Sequence, residues 1–209
     1  MSLDTTRIAT GELTQLLGSR LCHDLVSPLG AIGNGVELLE MAPEFPGIAQ
    51  SPELRLIAES VAAARARIQA FRMAFGQAQG DQRLSRADLL RLAEGISAQG
   101  RLKIELDAEG DFARAEVRMV MLALMCLETA LPWGGRVMLL RGSAGWRLVA
   151  EAGRTKPDPA LWQWLDGESE RLRPLAPSEV HFALLAEALQ GAGRQATYEV
   201  DDQGAELTF

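Results

Sequence analysis

Residues 21–35 read LCHDLVSPLGAIGNG. Leu21, Leu25 and Ile32 fall on one stripe when the chain advances by about 100° per residue, so the stretch has the period of an amphipathic helix. The same stretch holds a histidine, a proline and three glycines. Each glycine inside a helix costs about 0.5–1 kcal/mol relative to alanine, and a proline about 3 kcal/mol. A helix that only fills space gains nothing from such residues, so the sequence points to a second demand on this segment.

Working outward, the stripe gains Leu17, Val36 and Leu39, and a helix is predicted from about Thr5 to Met41. MAPEFPGIAQSPE, residues 41–53, then breaks the pattern with three prolines and a glycine. Ser51, Pro52 and Glu53 read as an N-cap, a first helical residue and an acid suited to the helix dipole. From there Leu54, Ile57, Val61, Ala64, Ile68, Phe71 and Phe75 form a second stripe, ending near Ala74 or Gln77. Two such helices make an antiparallel hairpin that cannot enclose both stripes alone, and a homodimer with a four-helix bundle would bury them.

The polar segment GQAQGDQR, residues 76–83, marks a boundary, with a hairpin domain over 1–78 and a second domain over 79–209. Beyond it a helix opens at Ser85-Arg86-Ala87-Asp88 and runs to about Ala98. RLKIELDAE alternates as a strand, ARAEVRMVMLALMCLETAL is a long apolar helix, and GRVMLLRG with GWRLVAEA forms a hairpin. A short helix near Asp158 to Leu165, another from Ser178 to Gln190, and the strands ATYEVDD and AELTF complete the order. The fold class is therefore α+β, a helical hairpin followed by an α/β sandwich with helices on one face of a mixed sheet.

Composition narrows the function. The chain has 209 residues, a net charge of −7 and no basic cluster, which argues against a nucleic-acid partner. Cys22 and Cys126 lack the spacing of a zinc site or a disulfide framework. No run reaches the roughly 18 apolar residues of a membrane span and no secretory leader is seen, so a cytoplasmic protein with no membrane partner is expected. His181, Trp162 and Trp164 are expected to pack. Arg65, Arg67 and Arg72 are expected on a solvated face of the second helix, with docking of an acidic partner as the lesser reading.

A lone helical histidine is most often a satisfied core residue or an inert surface one. His23 points roughly 170° from the apolar stripe, which places it in solvent among Ser19, Arg20, Ser27, Gly30 and Asn34. Pro28, five residues on, is expected to kink the helix because it lacks the amide that would bond the carbonyl of Asp24. An imidazole is nucleophilic near neutral pH, since its unperturbed pKa is about 6.5. The candidate catalytic pair is His23 with Asp24, which can orient the ring or accept a proton. The candidate partner-binding residues are Arg20, Ser27, Gly30 and Asn34.

HDLVSPLGAIGNGVELL resembles the H box of sensor histidine kinases, in which a phosphoacceptor histidine precedes an acid, a small residue, a proline and an apolar helical run. The layout of residues 83–209 resembles the ATP-binding domain of those kinases, but its chemical residues are gone. Met125 and Thr129 stand where the N-box asparagines would, and Thr155 replaces the last glycine of the loop that begins at Glu151 and Gly153. Val180 and His181 stand where glycines would let phosphate approach. A hairpin with an H box before a degenerate kinase-like domain resembles the ChpT class of bacterial histidine phosphotransferases. The resemblance implies that His23 takes a phosphoryl group from a receiver-domain aspartate of a hybrid histidine kinase and passes it to a response regulator. It implies no cofactor of the chain's own, with Mg²⁺ supplied by the partner receiver. The alternatives are an active sensor-type kinase core that binds ATP, and a non-catalytic scaffold or inhibitor that occupies a kinase docking face.

Overall fold

The computed structural model describes residues 10–76, 81–97, 101–167 and 173–209. The expected helix start at Thr5, the helix end at Ala98 and residues 77–80 of the boundary segment lie outside the described residues. Helix α1 (Thr10–Met41) and helix α2 (Pro52–Phe75) form the hairpin. The Ser51 hydroxyl accepts from the amide of Leu54 at 3.3 Å, and Pro52 follows as the first helical residue. Helix α1 runs unbroken through Pro28.

The two helices meet beside the leucine stripe and not through it. Cys22 and Val36 of α1 are buried, while Leu17, Leu21, Leu25 and Ile32 remain about half exposed. A Cβ added to Gly18 would lie 3.1 Å from the Cβ of Phe75, and one on Gly33 would lie 3.2 Å from Nη1 of Arg65. Helix α1 thus meets α2 through a face of small residues turned roughly 90° from the leucine stripe, because glycines let two backbones approach where leucines hold them apart. Gly33 serves this packing.

The second domain follows the expected order. Strands β2 (Leu102–Asp107), β4 (Gly135–Gly142), β5 (Gly145–Glu151), β6 (Thr197–Val200) and β7 (Gly204–Thr208) form a sheet of order β2-β4-β5-β7-β6. The β2–β4 pair is parallel, with Ile104 opposite Val137, and the other pairs are antiparallel. Val137, Leu139, Leu148, Ala150 and Leu207 alternate inward from these strands and are buried. Against that face pack α3 (Arg86–Ile96), α4 (Arg114–Ala130) and α6 (Val180–Gly191). The short α5 (Pro159–Trp162) seats Trp162 against Phe182 and Tyr198, at centroid distances of 5.4 and 5.2 Å. Every residue of α4 from Val117 to Leu127 is buried, since this helix has neighbours all round. The sequence reading missed the pair β1 (Arg83–Ser85) and β3 (Asp111–Ala113), whose strands are too short to show a period of two.

Helix α2 is shared between the two parts. Its Ala66, Ala70 and Ala74 face α3 and α4, and a Cβ on Gly95 of α3 would come within 2.6 Å of the Ala66 carbonyl oxygen. Arg67 is not on a solvated face. Its guanidinium donates to both carboxylate oxygens of Glu128 at 2.8 and 2.9 Å and to the carbonyl of Ile96 at the end of α3. Buried Arg118 of α4 donates from Nε to the carbonyl of Ala74 at 3.1 Å, serving the last turn of α2. Replacing Arg67 by alanine strands the Glu128 carboxylate and the Ile96 carbonyl in a largely covered site. The variant should lose about 1–3 kcal/mol of stability by denaturant titration; an unchanged midpoint would show the clamp to be energetically idle.

Candidate functional site

The centre of interest is the exposed side of α1. His23 has 77% of its side chain exposed, and its Nδ1 lies 3.1 Å from Oδ1 of Asp24. Arg20, one turn earlier, donates from Nε to Oδ2 of the same carboxylate at 2.8 Å. Asp24 therefore sits between a guanidinium and an imidazole. The hydrogen bond with His23, reinforced by Arg20, holds its carboxyl below the usual carboxylate range. At neutral pH the ionised carboxylate can only accept, so Nδ1 of a neutral His23 carries the proton and donates, and the lone pair is left on Nε2. Ser27 and Asn34 are exposed on the same side, and a Cβ on Gly30 would meet nothing within 4 Å. The structure brings His23, Asp24, Ser27, Gly30 and Asn34 onto one surface as the helical period predicts. Arg20 has a task within the chain that the sequence reading did not give it, although its spacing of four from Asp24 is the signal that reveals it.

In the second domain, Met125, Thr129, Thr155 and His181, among the positions that the kinase resemblance singles out, hold the fold, while Glu151, Gly153 and Val180 are exposed. Met125 is buried. The Thr129 hydroxyl donates to the Met125 carbonyl at 3.0 Å and so accepts from Nε2 of His181, 3.1 Å away. Thr155 is buried, its hydroxyl bonded to the carbonyl of Asp201 and its amide to that of Asp202 at 3.1 Å. Among the described residues no group of three or more His, Cys, Asp and Glu side chains is placed to hold a metal ion. Cys22 and Cys126 are both free and buried, and burial raises both thiol pKa values.

Residues 86–204, the helix layer and sheet just described, match the family model of the histidine phosphotransferase C-terminal domain. The chain belongs to this family. It is 49% identical over 78 residues to protein phosphotransferase ChpT of Brucella abortus (strain 2308), a match that covers 37% of this chain and 34% of that relative. The chain thus aligns with about a third of the length of that curated protein. A solved bacterial phosphotransferase is similar along 97% of both chains, at 25% identity and a TM-score of 0.65. A weaker likeness, at 16% identity and a TM-score of 0.45 over 85% of this chain and 93% of the other, is to the histidine kinase domain of the blue-light activated histidine kinase from Erythrobacter litoralis EL346. The phosphotransferase-family domain lies C-terminal to His23, so the exposed histidine is displayed by a helix that the matched segment does not include.

His181, which the sequence assigns to packing, is 3% exposed within the family domain. Burial, the largest cause, pushes its pKa from the ordinary 6.5 down to about 4, with the charge of Arg67 adding to the fall and that of Glu179 opposing it. The unfolded chain therefore binds a proton below pH 6.5 that the fold refuses until about pH 4, and stability falls as pH drops through that window, by about 3 kcal/mol in full. Glu179 acts lower down. Hydrogen bonds from Arg173 hold it at about 2, so its contribution is lost only as pH falls from 4.5 toward 2. Denaturant titrations at pH 7 and pH 5 should show wild type losing stability and His181→Gln losing markedly less; equal losses would contradict the assignment.

Proposed function

We propose that the chain is a histidine phosphotransferase of a phosphorelay, with His23 as its phosphoacceptor. It takes a phosphoryl group from a receiver-domain aspartate of a hybrid histidine kinase and delivers it to the aspartate of a response regulator. The observation that carries the reading is the Arg20–Asp24–His23 chain, which ties down Nδ1 and leaves Nε2 on a highly exposed ring. Family membership and the likeness to a bacterial phosphotransferase support it.

The step follows from these atoms. Nε2 attacks the phosphorus of the partner's aspartyl phosphate, the N–P bond forms, the P–O bond breaks, and the aspartate leaves as a carboxylate. The ring gains positive charge, which the Asp24 carboxylate offsets through the Nδ1 proton. In the return step the receiving aspartate attacks phosphorus, and the imidazole departs neutral with its proton still on Nδ1. Phosphoryl transfer rests chiefly on positioning and charge compensation, which is the work this chain's residues do. Mg²⁺ belongs to the receiver in this proposal, and the chain needs no cofactor of its own. Met125 is buried, Thr129 is bonded to the Met125 carbonyl and His181, and Thr155 to the carbonyls of Asp201 and Asp202, which supports a relay without ATP-dependent autokinase activity.

The protein acts as a homodimer in the cytoplasm in this reading. Leu17, Leu21, Leu25 and Ile32 of α1 and Leu56 and Ile57 of α2 are left open to water, and a second copy would cover them as a four-helix bundle. No helix among the described residues is long and apolar enough to cross a membrane. Sedimentation should give a dimer at micromolar concentration and a monomer for Leu21→Glu; a monomeric wild type would refute the bundle.

Incubation with a phosphorylated receiver domain should place acid-labile, base-stable label on the wild-type chain and none on His23→Gln. Asp24→Asn should slow transfer by about tenfold to a hundredfold. Equal labelling of wild type and His23→Gln would overturn the proposal.

A further inference from the structure

The contact with Asp24 uses only part of Arg20. Nε donates to Oδ2 at 2.8 Å, and among the described residues the two Nη groups make no hydrogen bond. The side chain is 74% exposed, so the rest of the fork stands in water on the open side of α1. Arg20 precedes His23 by three residues, a spacing that puts two Cβ atoms about 5–6 Å apart on a helix surface. An arginine side chain spans such a gap. Its guanidinium carries five donors on more than one edge, so Nε can stay on Asp24 while Nη reaches a group held by the His23 ring.

Arg20 is also the sole lysine or arginine among the 32 residues of α1, which carry Glu12, Asp24, Glu37 and Glu40. The one cation of a long acidic helix therefore stands a single turn from the histidine. Arg72 of α2 acts on the Cys22 thiol, about 100° round α1 from His23. On the face that shows the histidine to water, Arg20 is the cation that α1 itself supplies.

The inference rests on the phosphorelay reading. Transfer of a PO₃⁻ unit to Nε2 adds one net negative charge to the site: the ring, still protonated at Nδ1, becomes a cation, and the phosphoryl oxygens share two negative charges. Once the donor receiver departs with its Mg²⁺, that dianion is left beside the ionised Asp24, and the two anions repel. We propose that Arg20 bridges them, keeping Nε on Asp24 and giving Nη to the phosphoryl oxygens, and so stabilises phospho-His23 while the chain travels between receivers. The contact forms without proton transfer, because a guanidinium stays charged. Arg20 is then a phosphoryl-binding residue as well as an anchor for Asp24, and the planar fork suits phosphate oxygens better than a single ammonium does.

The test measures transfer in both directions between one receiver domain and the full-length chain. Wild type is compared with Arg20→Gln, Arg20→Lys, Asp24→Asn and the double variant Arg20→Gln/Asp24→Asn, with melting temperatures as fold controls. The ratio of forward to reverse kcat/KM is the equilibrium constant for phosphorylating His23, and the affinity of the encounter cancels from it. Arg20→Gln should move that equilibrium away from His23 by about threefold to tenfold, and Arg20→Lys by less. The shift should persist when Arg20→Gln is made in the Asp24→Asn background. If Arg20→Gln changes KM in both directions and leaves the ratio at its wild-type value, Arg20 is a docking residue and the proposal is overturned. If the shift vanishes in the Asp24→Asn background, Arg20 acts through Asp24 alone and the phosphoryl contact is overturned. Label on His23 of the wild type leaves the relay reading standing in both cases. Absence of label on wild type overturns the relay reading and this inference with it.

Discussion

Arg67 reaches from the middle of α2 to the carboxylate of Glu128 and the carbonyl that ends α3, and the placement of everything else depends on that clamp. It commits one face of α2 to the sheet domain. Once Ala66, Ala70 and Ala74 are spent there, only the opposite face is left for α1. Helix α1 then sits on α2 through Gly18, Cys22 and Gly33, and its own period does the rest. His23 is carried to one side of the hairpin and the leucines to the other. The exposure of the histidine is thus a consequence of packing two residues' width away from it, and not of any local irregularity in the helix.

Inside that frame the site is small. One carboxylate, flanked by a guanidinium and an imidazole, fixes which ring nitrogen is free. Asp24 is ionised at neutral pH and His23 is open to water, so in the proposed relay the chain would supply a nucleophile on a stable pedestal and the partner the electrophile and metal. Gly30 keeps the neighbouring surface low, with open space where a Cβ would be.

Much of this was legible in the sequence. The hairpin, the succession along the chain of the helices and of the five strands of the main sheet, the caps at Ser51 and Ser85, and the outward aim of His23 all follow from period and capping chemistry. The choice of α1 face against α2 was not, because a stripe of leucines outweighs a stripe of glycine and cysteine in any count of apolar residues. The fate of Arg67 was hidden for a related reason. Its partner lies 61 residues away, and helical spacing carries no information about such a pair. The β1–β3 pair is three residues per strand, below the length at which alternation can be seen.

The central claim is that Asp24 holds Nδ1 of His23 and leaves Nε2 to take phosphorus. Heteronuclear NMR on the phosphorylated protein, labelled with ¹⁵N at histidine, reads which ring nitrogen couples to ³¹P. Coupling to Nε2 of His23, with the Nδ1 proton still present, is the predicted result. Phosphorus on Nδ1 of His23, or on any other residue, would contradict the account.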